Sequence, residues 1–284
     1  MPIMRQLVAG DEAITEQFLA THPHTTMFLR SNLRNAGFAY NGARYEGTYV
    51  AAFADDRMLA MGAHYWNGNV ILAASELAGE VAQEIAALSG RPVRGIIGTH
   101  VEVTAAQKAL AIDRPIRYTS KEVLYALELD SLAVPAALVD GTLDARTPVD
   151  SEMPLLLDWR MAYCAETMNV ADNEQTRAEQ RSSLEGFHKN GEDIIVHALG
   201  VPVAYSGFNA TLPDTVQIGG VWTPPEHRNR GYGRAAVAAS LVAARRRNVV
   251  RAILFTDEHN VPANIAYAAL GFRPVGDYGM VFFE

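Results

Sequence analysis

Thr223-Pro-Pro-Glu-His-Arg-Asn-Arg-Gly-Tyr-Gly-Arg-Ala235 separates two stretches of opposite character. Before it, residues 216–223 carry valine, isoleucine and tryptophan and read as a strand. After it, residues 232–247 are rich in alanine and read as a helix. Pro224 and Pro225 end the strand and stiffen the approach to the loop. Gly231 and Gly233 lack a Cβ, so the backbone can turn tightly and come close to a ligand. A helix N-terminus offers unpaired N–H groups and the positive end of a dipole, which suits an anion. Arg228 and Arg230 add guanidinium groups that match phosphate oxygens. The loop is not a P-loop, because no Gly-Lys-Ser/Thr follows, and Ala236 stands where a dinucleotide fingerprint has its third glycine.

A second segment lies downstream: Asn260-Val-Pro-Ala-Asn-Ile-Ala-Tyr267-Ala-Ala-Leu-Gly271-Phe272. Pro262 suits the first turn of a helix. Ala263 and Tyr267 are four residues apart and share a helix face. Gly271 ends the helix and turns the chain into Phe272, a core residue. Asn260 suits either a helix cap or a ligand contact.

Together the two segments resemble the GNAT acyltransferase superfamily. Residues 228–233 follow its R/Q-x-x-G-x-G/A signature, and residues 260–272 follow its N-x-x-A-x-x-x-Y-x-x-x-G-F segment. The resemblance implies that Arg228, Asn229, Arg230, Gly231, Tyr232, Gly233 and Arg234 line the pyrophosphate of coenzyme A. Val221, Trp222 and Thr223 would offer backbone groups to the pantetheine arm. Asn260 would hydrogen-bond coenzyme A, with Asn264 as its substitute. Tyr267 would be the catalytic residue, a phenol that protonates the departing thiolate. The implied reaction is direct transfer of an acetyl group from acetyl-CoA, a co-substrate, to a primary amine of a small molecule or amino-acid-like acceptor.

The acceptor side is less defined. Family members often carry a glutamate base on the strand at 215–223; here the position with a polar side chain is Gln217, which would place a water or the amine. Trp159 and Tyr163 share a helix face and, with Tyr278, are aromatic candidates for the acceptor cleft. Arg160, on a neighbouring face, fits either a substrate carboxylate or solvent. Two other readings stay open: a coenzyme A-binding regulatory protein without transferase activity, favoured by the missing carboxylate, and an aminoacyltransferase of the same fold.

Working outward, each half of the chain repeats one order of elements. In the first half, strands are expected at 3–8, 49–54, 59–65, 70–74, 93–97 and 123–129, with helices at 12–35, 76–88 and 103–110. In the second, strands at 145–148, 193–199, 203–209, 216–223, 251–257 and 273–283 alternate with helices at 153–168, 174–189, 232–247 and 263–270. The expected fold is α/β (α+β): two GNAT-like domains, each a mixed, mostly antiparallel sheet flanked by helices. Pro135 and Gly141 place a linker at 133–144, between a domain at 1–132 and an acyl-CoA-binding domain at 145–284. In the first half the equivalent loop reads Ala73-Ala-Ser-Glu-Leu-Ala-Gly79, with no arginine and one glycine, so that half is expected to be degenerate.

Composition sets outer limits. The chain has 284 residues and a formal charge of −8, and its one basic cluster, Arg245-Arg246-Arg247, closes a helix whose dipole it complements. Nucleic acid is therefore not an expected partner. Cys164 is the single cysteine, so no intramolecular disulfide can form. No apolar run reaches the ~20 residues that cross a bilayer, and acidic residues interrupt the N-terminal stretch. A cytoplasmic location without membrane contact is expected. His22 and His24 belong to no cluster with metal-ligand spacing in the sequence, and no metal site is expected. The terminal strand at 280–284 allows a monomer or a homodimer.

Overall fold

The computed structural model describes residues 2–284. The strands are β1 (Ile3–Gln6), β2 (Gly47–Ala54), β3 (Arg57–Tyr65), β4 (Asn69–Ala73), β5 (Gly95–Gly98), β6 (Ile116–Glu128), β7 (Leu143–Arg146), β8 (Asp193–Ala198), β9 (Val201–Thr211), β10 (Thr215–Trp222), β11 (Arg251–Asp257) and β12 (Arg273–Phe283). The helices are α1 (Glu12–Ala20), α2 (Met27–Ala36), α3 (Ala78–Ser89), α4 (His100–Leu110), α5 (Ala136–Val139), α6 (Met153–Met168), α7 (Glu174–Asn190), α8 (Tyr232–Arg245) and α9 (Val261–Leu270). The helical stretch expected at 12–35 is broken into α1 and α2. Pro23 lacks an N–H and disfavours helical backbone before it, and the buried Thr26 hydroxyl donates to the carbonyls of Leu19 and His22 at 2.8 and 2.9 Å, closing the turn.

The chain forms two compact units. The first runs to Leu124 and also takes Val275–Glu284; the second is Tyr125–Pro274. Within the first, β1 to β4 pair antiparallel in sequence order, and β4 then pairs parallel with β5. Within the second, β7 to β10 do the same, and β10 pairs parallel with β11. The mostly antiparallel, helix-flanked sheet read from the sequence is thus present in both units. The first core is built from β2–β5 residues such as Val50, Leu72 and Ile96 against Val81, Ile85 and Val103 of α3 and α4. In the second, Val216, Ile218 and Leu254 pack under Val237, Leu241 and Leu270 of α8 and α9. On the opposite face, Ile195 and Tyr205 pack against Leu156, Leu157, Met161 and Leu184 of α6 and α7.

The division differs from the one expected at 133–144. Leu129 and Leu132 are buried in the second core, with Val134 and Leu138 packed against it, so this stretch is anchored rather than free. The terminal strand also departs from expectation: Gly279–Phe282 pair antiparallel with Gly98–Gly95 of β5, inside the first unit. Tyr278 goes with it. Expected in the acceptor cleft of the second half, it is instead 2% exposed in the first unit's core, beside Phe28. Burial pushes its phenol pKa well up. Local patterning identified a strand at 273–283 but carries no signal for its neighbour, because pairing partners are chosen by tertiary packing.

Candidate acyl-donor and acceptor site

Parallel pairing of β10 with β11 covers three residue pairs, Thr215–Arg251, Val216–Ala252 and Gln217–Ile253. Beyond Gln217, β10 is irregular. Its register with β9 shifts between Gln217 and Ile218 and again between Gly219 and Trp222, and Gly220 has φ +63°. A bulge bends a strand and adds twist, and the parallel register of β10 with β11 ends at Gln217–Ile253.

The loop leading to α8 continues from the end of β10. A short 3-10 turn at Pro225–His227 follows the strand. Asn229 (φ +62°) and Gly231 (φ +79°) are both left-handed, a conformation that L residues with bulky side chains resist. α8 has no side-chain cap, and its first intrahelical bond runs from the Ala235 N–H to the Gly231 carbonyl at 3.0 Å. The N–H groups of Tyr232, Gly233 and Arg234 precede that ladder, so they form the anion-attracting helix end. A Cβ on Gly233 would sit 3.1 Å from the Thr223 hydroxyl oxygen, so glycine lets the helix start close to the strand end.

The expected side chains are distributed unevenly around this loop. Arg228 is turned back: its Nε donates to the Thr223 carbonyl (3.1 Å), Nη2 pairs with Glu166 (2.8 Å), and the guanidinium lies 5.0 Å from the Trp222 ring. Arg230 and Arg234 lie in the loop and first turn. Asn260 caps α9, accepting from the Ala263 N–H at 3.3 Å. Asn264 is engaged internally. Both its N–H groups bond the carbonyls of Asp257 and Glu258 (3.1 Å each), and its oxygen accepts from Tyr125 Oη (2.9 Å). It holds the β11–α9 turn and has no N–H left for a ligand. Tyr267 lies on the sheet-facing side of α9 among Val216, Ile218 and Leu254, with Tyr125 and Phe272 at ring distances of 6.3 and 6.0 Å.

The other face of β10 meets α6. Arg160, Tyr163 and Glu166 follow one another along the helix. A Cβ on Gly220 would lie 2.3 Å from Arg160 Nη1; Tyr163 meets Trp222 edge-on at 6.4 Å; Glu166 holds Arg228. Trp159 packs against the α6–α7 core. Gln217 is 1% exposed; its amide donates to the Ile218 carbonyl at 2.7 Å, and its oxygen has no hydrogen-bond partner among the described residues.

Sequence reading did not single out Asp193 or Asn209. Asp193 begins β8 opposite Gly207, fully buried, and neither carboxylate oxygen has a hydrogen bond; His188 Nδ1 is 3.9 Å away. Burial pushes its pKa up to about 6. Burial likewise raises that of Tyr205, whose hydroxyl feels the charges of both Asp193 and Arg160. Asn209 lies across Gly219, where a Cβ would clash with its amide. Only cross-strand register shows that these residues share a face, and register is not written in local pattern.

Among the described residues no group of three or more His, Cys, Asp or Glu could hold a metal ion, and no helix is long and apolar enough to cross a membrane. Residues 156–272 match the family model "Acetyltransferase (GNAT) family". Comparison with curated protein sequences gives no match. Solved structures are similar over nearly the whole chain. A GNAT-family acetyltransferase from Colwellia psychrerythraea has 13% identity and a TM-score of 0.56, covering 99% of this chain and 100% of its own. A GCN5-related N-acetyltransferase from Sphaerobacter thermophilus has 17% identity and a TM-score of 0.58, covering 99% and 94%. A tandem GNAT protein from the clavulanic acid biosynthesis pathway has 16% identity and a TM-score of 0.54, covering 99% and 98%. A strand pair whose parallel register ends after three residue pairs and the uncapped helix start beside it both fall within residues 156–272, the stretch that matches the GNAT acetyltransferase family.

Proposed function

We propose that the second unit is an N-acetyltransferase that uses acetyl-CoA as donor and a small primary amine as acceptor. The observation that supports this most is the β10–β11 opening at Gln217, which leads directly to the amides of Tyr232, Gly233 and Arg234. In this reading those amides, with Asn229, Arg230 and Gly231, hold the pyrophosphate. Backbone groups of Val221, Trp222 and Thr223 pair with the pantetheine arm. Arg228 joins the phosphate site by exchanging Glu166 for phosphate oxygens, an exchange of partners for a side chain only partly exposed. Asn260 keeps its capping role and offers its N–H₂ group, whereas Asn264 supports the turn.

The chemistry follows from the two faces of β10. The acceptor amine approaches from the α6 side and attacks the thioester carbonyl carbon. The C–N bond forms, the C–S bond breaks, and the thiolate takes a proton from Tyr267 on the α9 side. The amine loses its proton to water held near Gln217. Orientation within one complex supplies much of the rate. The first unit, lacking the loop, takes no part in donor binding.

One observation favours a second reading, a coenzyme A-binding protein without transfer chemistry: β10 carries Gln217 where a carboxylate base would serve. Release of coenzyme A thiol, measured with acetyl-CoA against a panel of amines, separates the two. Amine-dependent release supports transfer. Tight acetyl-CoA binding with no release for any amine supports the second reading.

A further inference from the structure

Arg160 occupies an unusual place. It lies on the sheet-facing stripe of α6, four residues from Leu156 and from Cys164, both buried. A guanidinium in that stripe carries a desolvation cost that a partner anion would offset. Among the described residues it has no carboxylate partner. Its one hydrogen bond runs from Nε to the neutral Gln180 oxygen at 2.9 Å, which leaves the terminal fork unused, and its ring contact is Tyr163 at 5.3 Å. The fork lies on the β10 bulge, where Gly220 alone leaves it room. The residue before Gly220 in the bulge, Gly219, is partly exposed. Tyr163 in turn meets Trp222 edge-on. Arg228 and Arg177, on the same side of the unit, are by contrast paired with Glu166 and with Asp158 and Asp172.

We infer that Arg160 is a specificity-determining residue that binds a carboxylate of the acceptor, so the acceptor is an amino acid or a similar amine bearing an acid group. The inference rests on the acetyl-transfer reading of the same site. The geometry explains the choice of group. A planar fork matches a carboxylate through two parallel hydrogen bonds, and the bulge removes side chains that would cover it. A carboxylate seated there lies on the α6 face of β10, the face from which the amine must approach.

A carboxylate on the acyl group, as in a dicarboxylic acyl-CoA, has the same chemistry, and the test distinguishes it. Thiol release is measured with acetyl-CoA against the twenty common amino acids, their carboxamides, and a set of amines without acid groups. Succinyl-CoA replaces acetyl-CoA in a parallel arm. Acetyl-CoA affinity is measured by calorimetry for the intact chain and for Arg160→Ala and Arg160→Lys. The expected result is turnover of at least one amino acid with its carboxamide about 30-fold poorer in kcat/KM, from loss of a charge-assisted pair. Arg160→Ala removes that preference mainly through KM, with acetyl-CoA affinity unchanged. Arg160→Lys, which keeps the charge without the fork and the packing volume with it, retains part of the preference. Equal use of acids and carboxamides overturns the proposal, as does turnover confined to amines without acid groups, or no amine turned over at all. An Arg160-dependent preference for succinyl-CoA over acetyl-CoA overturns the acceptor assignment too. Failure of acetyl-CoA to bind the unmodified chain is a different outcome: it removes the donor reading itself.

Discussion

Both units contain the same opening, and they treat it in opposite ways. In the first, β4 pairs parallel with β5 over Asn69–Gly95, Val70–Ile96 and Ile71–Ile97, as many pairs as β10 makes with β11. The backbone amides just beyond β4 do not await a ligand. Ala74 and Ser75 donate to Glu102 Oε1 at 2.6 and 2.9 Å, and Thr99 donates to Oε2 through its N–H and hydroxyl at 2.8 and 2.9 Å. Glu102 is 5% exposed, and its carboxylate is held by the start of α4, whose capping box it completes. The first unit thus carries its own anion, covalently attached, at the strand end. In the second unit the corresponding loop has two left-handed residues, and among the described residues no carboxylate bonds its amides. One opening is closed by the protein; the other is the one proposed to take a negatively charged ligand.

Breaking the closed side carries the largest effect. Glu102→Ala leaves buried N–H groups and a hydroxyl without an acceptor, and unfolding by denaturant is expected to show a loss of about 4 kcal/mol. Glu102→Gln, which keeps one acceptor oxygen, is expected to lose less. Neither variant should create a second coenzyme A site, because the loop at residues 73–79 still lacks the arginines and has one glycine. A gain of acetyl-CoA binding in either would show that Glu102 alone blocks it.

On the open side, Tyr267→Phe removes the proposed proton donor to the leaving thiolate. It is expected to lower kcat about 100-fold with acetyl-CoA affinity unchanged; unchanged kcat removes Tyr267 from the mechanism. Gly231→Val forces a β-branched residue to φ +79° in the loop proposed to hold the pyrophosphate. A loss of about 30-fold in acetyl-CoA affinity is expected, corresponding to ~2 kcal/mol.

Much of this comparison was legible in the sequence. The strand-to-helix turn at 223–235 and the helix ending at Gly271 were legible because each couples backbone rules with residue chemistry at adjacent positions. α6 and α7 read nearly to the residue because Pro154 opens the first, Asn169 ends it at φ +50°, and Asn173 caps the second by accepting from Thr176. What was not legible is long-range. Glu102 stands in an ordinary capping box, and nothing local shows that its second oxygen reaches 28 residues back to Ala74. The place of Tyr278 depends on β12 choosing β5 as a neighbour. Arg160 reads as a surface arginine until the bulge at Gly220 is placed beneath it.

A smaller effect sharpens the contrast between the two buried carboxyls. Glu102 is fully bonded; Asp193, in the second unit, has no hydrogen bond and a pKa pushed up to about 6 by burial. A carboxyl whose folded pKa exceeds its unfolded value penalises the fold once it ionises. The penalty is absent below the unfolded pKa, near 4, grows as pH rises, and is complete above about 6. Asp193→Asn is therefore expected to stabilise the protein by about 2 kcal/mol at pH 8, and by nothing near pH 4. Thermal melts of both proteins across that range check it; destabilisation at pH 8 would mean that the ionised carboxylate makes a favourable interaction.

The most direct test of the contrast between the units is calorimetric titration of the intact chain with acetyl-CoA. One site per chain is expected, weakened by Gly231→Val and indifferent to Glu102→Gln. Two sites per chain, or a single site that survives Gly231→Val at full affinity, would contradict it.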